Sequence, residues 1–118
     1  MRFHPGNATL SSQKEVNAFD RQYLHGNLTI AGEDITDLSA LSALTSIDGS
    51  LIIRNNPNLH DISGFNALVK LGFILIEKNA KLKRIDGFNS LTDCKGLIIR
   101  DNKMLKDIKC FHNPQVLL

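Results

Sequence analysis

A solenoid of short stacked coils, each laying one strand into a single parallel β-sheet, is the fold class this sequence predicts. Three observations predict it: an internal period of 23 residues, an asparagine held at one place in that period, and apolar residues that return at every third position.

The period comes first. Two apolar residues flanking one position recur as Leu28/Ile30, Leu51/Ile53, Ile74/Ile76 and Leu97/Ile99, with first members 23 residues apart in every case. Such i, i+2 pairs place two side chains on one face of a strand and the middle residue on the other. Four or five short parallel strands, one per coil, are expected. Three positions beyond each pair stands Asn56, Asn79 or Asn102, with Glu33 in an irregular first copy. An asparagine at the corner after a strand can satisfy backbone groups that would otherwise be buried unpaired, so this column is expected to be interior and hydrogen-bonded.

After the corner, apolar residues recur as Leu59, Ile62, Phe65 and Leu68, then Leu82, Ile85, Phe88 and Leu91, then Leu105, Ile108 and Phe111. The first copy supplies Ile35, Leu38, Leu41 and Leu44. On an α-helix each step of three falls 60° short of a turn, which would smear the stripe around the axis. Backbone with about three residues per turn keeps it on one side, so the coil sides are expected to be mostly non-helical. No coil can bury its apolar edge alone, whereas stacked coils put Leu on Leu and Ile on Ile. Together these features define a leucine-rich-repeat solenoid.

The ends of such a stack need covering. Ser12-Gln13-Lys14-Glu15 reads as a capping box, with Ser12 as N-cap and Glu15 reaching back to it, and Val16, Phe19 and Tyr23 as apolar face. A short helix over about 12–20 is expected to close the first coil. The organisation expected is one domain over 1–118, with an N-terminal cap at 8–22 and four repeats over 23–112. No comparable lid follows Phe111, and the chain stops before position 122, where the period puts the next strand residue. That end is either a truncated stack or a self-association surface.

Composition narrows the function. A net charge of +2, no Trp and a single Tyr exclude the basic, aromatic-interleaved stripe of a nucleic-acid binder. No stretch is long and apolar enough for a membrane span, and no signal peptide opens the chain, which leaves open that a leader has been removed. Cys94 and Cys110 make no disulfide framework; a reduced thiol at Cys94 and a bridge between the two remain alternatives. His4, His25, His60 and His112 lack metal-ligand spacing and are read as solvent-exposed. There is no nucleophile elbow, phosphate loop or carboxylate pair, so neither catalysis nor a cofactor is expected. Asp48-Gly49 and Asp86-Gly87 are turn chemistry. Asn7-Ala8-Thr9 and Asn27-Leu28-Thr29 match the glycosylation acceptor and are read as incidental.

Two surfaces are left to carry function. The outward middle residues are Thr29, Ile52, Leu75 and Ile98, three of them large and apolar, with Ser50, Phe73 and Gly96 on one flank and Arg54, Glu77 and Arg100 on the other. An apolar stripe on a face that would normally be polar points to a protein partner or to a second copy of the chain. Ile52, Phe73, Leu75, Ile98, Arg54, Glu77 and Arg100 are therefore the candidate binding residues. The alternative comes from charge. Residues 1–69 carry 4 basic and 7 acidic groups, and residues 70–118 carry 10 and 5. Lys78, Lys81, Lys83, Arg84, Lys103 and Lys106 fall after the strands of the third and fourth copies and would suit an anionic polysaccharide or surface.

The run Thr45-Ser46-Ile47-Asp48-Gly49-Ser50-Leu51-Ile52-Ile53-Arg54-Asn55-Asn56-Pro57-Asn58-Leu59 resembles the repeat of bacterial leucine-rich-repeat proteins related to the receptor L-domain family. Thr9–Phe19, Gly26–Ile30 and Asp34–Leu38 resemble that family's opening segment, so the resemblance covers about residues 8–112. It implies a non-catalytic protein–protein interaction module of a secreted or cell-surface protein, including adhesion proteins, and it carries over no catalytic residue. The spacing Asn-x-x-Leu departs from the commonest leucine-rich repeats, and the third and fourth copies are more basic than the family pattern.

Overall fold

Twelve short strands and one α-helix alternate with turns in the computed structural model, which describes residues 3–92, 94–108 and 116–117. The strands are β1 (Phe3–Pro5), β2 (Ala8–Leu10), β3 (Tyr23–His25), β4 (Leu28–Ile30), β5 (Ser46–Ile47) and β6 (Leu51–Arg54). They continue as β7 (Asp61–Ile62), β8 (Phe73–Glu77), β9 (Arg84–Ile85), β10 (Gly96–Arg100), β11 (Asp107–Ile108) and β12 (Val116–Leu117), and the helix α1 spans Gln13–Ala18. A 3₁₀ turn at Ser39–Ala43 is the other helical segment among the described residues.

The strands form three parallel sheets, where one was expected. The largest has six strands in the order β12-β10-β8-β6-β4-β2, and two three-stranded sheets run β1-β3-β5 and β11-β9-β7. The extra sheets arise on the coil sides read from sequence as merely non-helical. Backbone extended enough to keep a three-residue apolar spacing on one side also leaves N–H and C=O groups pointing along the stack, and neighbouring copies pair them.

Register follows the period. Leu28 pairs with Leu51, Leu51 with Ile74, and Ile74 with Leu97, while Ile62 pairs with Ile85 and Ile85 with Ile108. Equivalent side chains therefore meet inside, and Leu28, Ile30, Leu51, Ile53, Leu59, Ile62, Ile74, Ile76, Leu82 and Ile85 are completely buried. Phe65 and Phe88 stack with ring centroids 5.1 Å apart and planes within 9°.

The sheet is longer at both ends than the four or five strands expected. β2 pairs with β4 at an offset of 20, Ala8 to Leu28, and β12 pairs with β10 at an offset of 19, Leu97 to Val116. A search for a constant period of 23 passes over both. The second pairing also puts a strand beside β10, where an uncovered edge was expected. Phe111, at the end of the fourth apolar series, lies outside the described residues.

The helix begins where the capping pattern places it, with the Ser12 side chain accepting from the Glu15 N–H at 3.1 Å. The return half differs: the Glu15 carboxylate accepts from the Ser11 N–H and hydroxyl at 2.6 and 2.8 Å, one residue before the cap. Val16 is buried and Phe19 half-buried, but Tyr23 belongs to β3 and not to the helix. Gln13 anchors the helix to the next turn, accepting from the Thr36 and Asp37 N–H groups at 2.8 and 2.9 Å.

The turns after β6, β8 and β10 are held by asparagines. Asn55, Lys78 and Asp101 take left-handed backbone with φ of 56°, 56° and 58°, turning the chain inward. The next residues are Asn56, Asn79 and Asn102, the first two buried and the third half-buried. Asn79 Oδ1 accepts from the Asn56 N–H at 3.2 Å and from Asn56 Nδ2 at 2.9 Å, and its own Nδ2 donates to the Ile53 carbonyl at 3.1 Å and Asn102 Oδ1 at 3.0 Å. In the first copy the Gly32 N–H donates to Asn56 Oδ1 at 2.9 Å, so the ladder passes over Glu33. A second, exposed ladder joins Asn7 to the Asn27 N–H and Asn27 to the Ser50 N–H, each at 2.8 Å. Beside it a Cβ on Gly49 would fall on the Asn27 side-chain oxygen and the Gly26 carbonyl, so only glycine fits there.

Deleting the Asn79 amide strands the buried Asn56 N–H and Ile53 carbonyl. Asn79→Ala is expected to lower the unfolding free energy by about 3 kcal/mol, from roughly 1–3 kcal/mol per unpaired group. Asn102→Ala should cost clearly less, because Asn102 is itself half-buried and water can reach the site it vacates. Urea unfolding of the two variants beside the parent checks the order.

Candidate interaction surface

Strand alternation and register together build the outer face of the six-stranded sheet. Thr9, Thr29, Ile52, Leu75 and Ile98 stand side by side on β2, β4, β6, β8 and β10. Ile52, Leu75 and Ile98 are half-buried, each shielded by its neighbours about 4.8 Å away and open on the outer side. Phe73 lies opposite Gly96 and is 49% exposed. A Cβ on Gly96 would stand 3.0 Å from the Phe73 ring, so the ring lies over the glycine and extends the stripe.

The other flank is a charge column. Arg54 pairs in register with Glu77 and Glu77 with Arg100. Arg100 Nε donates to Glu77 Oε1 at 2.8 Å, and Glu77 is only 7% exposed. That hydrogen bond from Arg100, aided by the charges of Arg100, Lys78 and Arg54, holds the Glu77 carboxyl below the usual carboxylate range against the opposing effect of burial. Arg54 is exposed and makes no ion pair with a described residue. All seven residues singled out on this face by sequence thus lie on three adjacent strands.

The lysines divide differently. Lys78, Lys81, Lys83, Lys103 and Lys106 are exposed on the turns leading from β8 to β9 and from β10 to β11. Arg84 lies within β9, in register between Asp61 and Asp107.

A third cluster escaped the sequence reading. On the β1-β3-β5 side the Tyr23 hydroxyl donates to Asp48 Oδ1 at 2.8 Å, and His25 Nδ1 lies 2.7 Å from Asp48 Oδ2. The Tyr23 and His25 rings are 4.6 Å apart. The Tyr23 hydroxyl, then His25, lowers the Asp48 carboxyl, and the same bond raises the Tyr23 phenol. His25 and Asp48 are 23 residues apart, so the period carries the signal, although each residue alone reads as an exposed histidine or a turn aspartate. Cys94 is half-buried with Sγ 3.3 Å from the Gly96 carbonyl, while Cys110 and His112 lie outside the described residues. Among the described residues, no helix is long and apolar enough to cross a membrane.

Residues 22–76 match the receptor L domain family. The matched segment runs from just before β3 through nearly all of β8, and so includes Ile52, Arg54, Phe73 and Leu75 but not the lysine-bearing turns. Comparison with curated proteins and with solved structures gives no match.

Glu77 and Asp48 both hold their protons less tightly in the folded state than a free carboxylate does. Their contribution to stability is therefore complete above the ordinary carboxylate range and lost as pH falls through the depressed folded values. Stability is expected to drop below about pH 4. Glu77→Gln should flatten that drop, as read from thermal unfolding between about pH 2 and pH 7.

Proposed function

We propose that this chain is a leucine-rich-repeat solenoid of the receptor L-domain kind, and that it docks a partner protein on the outer face of its six-stranded sheet without catalysing a reaction. The observation that carries the reading is the column of Ile52, Leu75 and Ile98 with Phe73 beside it. A parallel sheet normally has both faces covered, and large apolar side chains in register on an open face are the composition of an interface core. The Arg54–Glu77–Arg100 flank supplies the polar rim such a core requires, with the Arg54 guanidinium free to meet a carboxylate.

The match to a family described as a receptor domain supports a binding role, and it covers most of the stripe. A secreted or cell-surface setting, in a bacterial adhesion or recognition protein, is the context that fits this reading. Chance β-propensity accounts for single exposed isoleucines. It does not account for three large apolar residues in register, Ile52, Leu75 and Ile98, with Phe73 lying over a glycine.

Phe73→Lys combined with Leu75→Ser tests the surface, because both side chains are open to solvent on one side and the core below them is unchanged. Sedimentation and partner capture should both fall to background for the variant while its thermal unfolding stays within about 1 kcal/mol of the parent. Unaltered sedimentation together with unaltered capture would remove the sheet face from the function.

A further inference from the structure

The turns between the charge columns hold lysines in an arrangement that the rest of the stack avoids. Where charged residues stand in register on the strands, their signs alternate: Arg54, Glu77 and Arg100 on one side of the turn, and Asp61, Arg84 and Asp107 on the other. Opposite charges on neighbouring strands attract, and like charges directly opposite repel. In the turn segments 55–60, 78–83 and 101–106 Lys78 still faces Asp101 at the period, but the alternation fails at the last position of each segment. His60, Lys83 and Lys106 follow one another at the period, and their backbones are joined by the Lys83 N–H to the His60 carbonyl at 2.8 Å and the Lys106 N–H to the Lys83 carbonyl at 3.0 Å. Lys83 and Lys106 thus sit one strand spacing apart, about 4.8 Å at the backbone, with the same charge.

Segments 78–83 and 101–106 together carry five lysines and one acidic residue, Asp101. Lys78, Lys83, Lys103 and Lys106 form no ion pair with a described residue, and Lys81 Nζ lies 3.5 Å from the neutral Asn58 Oδ1. A shallow depression of about 300 Å³ opens among Lys78, Ala80, Asp101 and Lys103.

We propose that this strip is a second binding site, distinct from the sheet face, for a linear acidic polysaccharide bearing carboxylates or sulfates. Lys83 and Lys106, stacked in register, repel, and a polyanion lying along the stack axis relieves that repulsion while meeting the neighbouring exposed lysines. Lysine suits such a ligand, since its ammonium is a mobile point charge, whereas a fixed carboxylate of a folded partner favours the planar fork of arginine. Nucleic acid is disfavoured because the three segments contain no Phe, Tyr or Trp on which a base could stack. A lipid surface is disfavoured because Met104 is the one large apolar side chain exposed there, short of the apolar face that interfacial binding needs. Arg84, in register between Asp61 and Asp107, is not part of the site.

The test is binding of fluorescently labelled heparin oligosaccharide to the full chain at about 0.15 M NaCl, where a diffuse patch releases polyanions. The parent should bind saturably, and Lys83→Glu with Lys106→Glu should weaken binding by roughly tenfold or more. Lys14→Glu with Lys95→Glu, which makes the same change in net charge elsewhere, should alter it by less than about twofold. If the first variant melts early, Lys83→Gln with Lys106→Gln reads the same effect. No binding by the parent, or equal weakening in both double variants, overturns the site. Equally tight binding of oligo(dT) or of anionic phosphatidylserine vesicles overturns the assignment to polysaccharide.

Discussion

Everything in this molecule depends on equivalent residues meeting from one copy of the period to the next. The asparagine ladder is where that constraint is strictest. Asn79 serves the copy before it and is served by the copy after it, so a shift of one residue would break four hydrogen bonds and bury their groups unpaired. Apolar packing alone would tolerate exchange between Leu and Ile, and both stack here. The amide network supplies the directionality that packing lacks.

From that register the surfaces follow without further design. Inward residues interlock, so outward residues line up as well, and any property repeated with the period becomes a column on the outside. The sheet face acquires an apolar column because the middle strand residue is Ile, Leu and Ile in three successive copies, whereas Thr9 and Thr29 keep the other end polar. The turns set Lys83 beside Lys106 for the same reason. Any molecule lying across several coils would therefore meet one chemistry repeated at strand spacing.

Two carboxylates tie neighbouring copies together. Glu77 is nearly buried under Arg100, so it fixes a guanidinium beside the apolar stripe instead of presenting a carboxylate to solvent. Asp48 ties Tyr23 and His25 across neighbouring strands of a different sheet. Both link adjacent copies, and both make stability sensitive to acid.

The amino-acid order by itself determined the period, the inward and outward faces of the main strands, the asparagine column and the start of the helix at Ser12, because each is written in local spacing. It did not determine that the coil sides would pair into two further sheets. An extended backbone becomes a strand only when a neighbour lies at hydrogen-bonding distance, and that is a property of the stack. Nor did it reveal β2 and β12, whose offsets of 20 and 19 break the period, or the carboxylate bridge at Asp48, whose partners belong to another copy. Tertiary structure also divided the basic residues, leaving Arg84 between two aspartates and the lysines open. Which charges cancel is settled across strands about 4.8 Å apart, and the linear sequence separates those strands by a full turn of the chain.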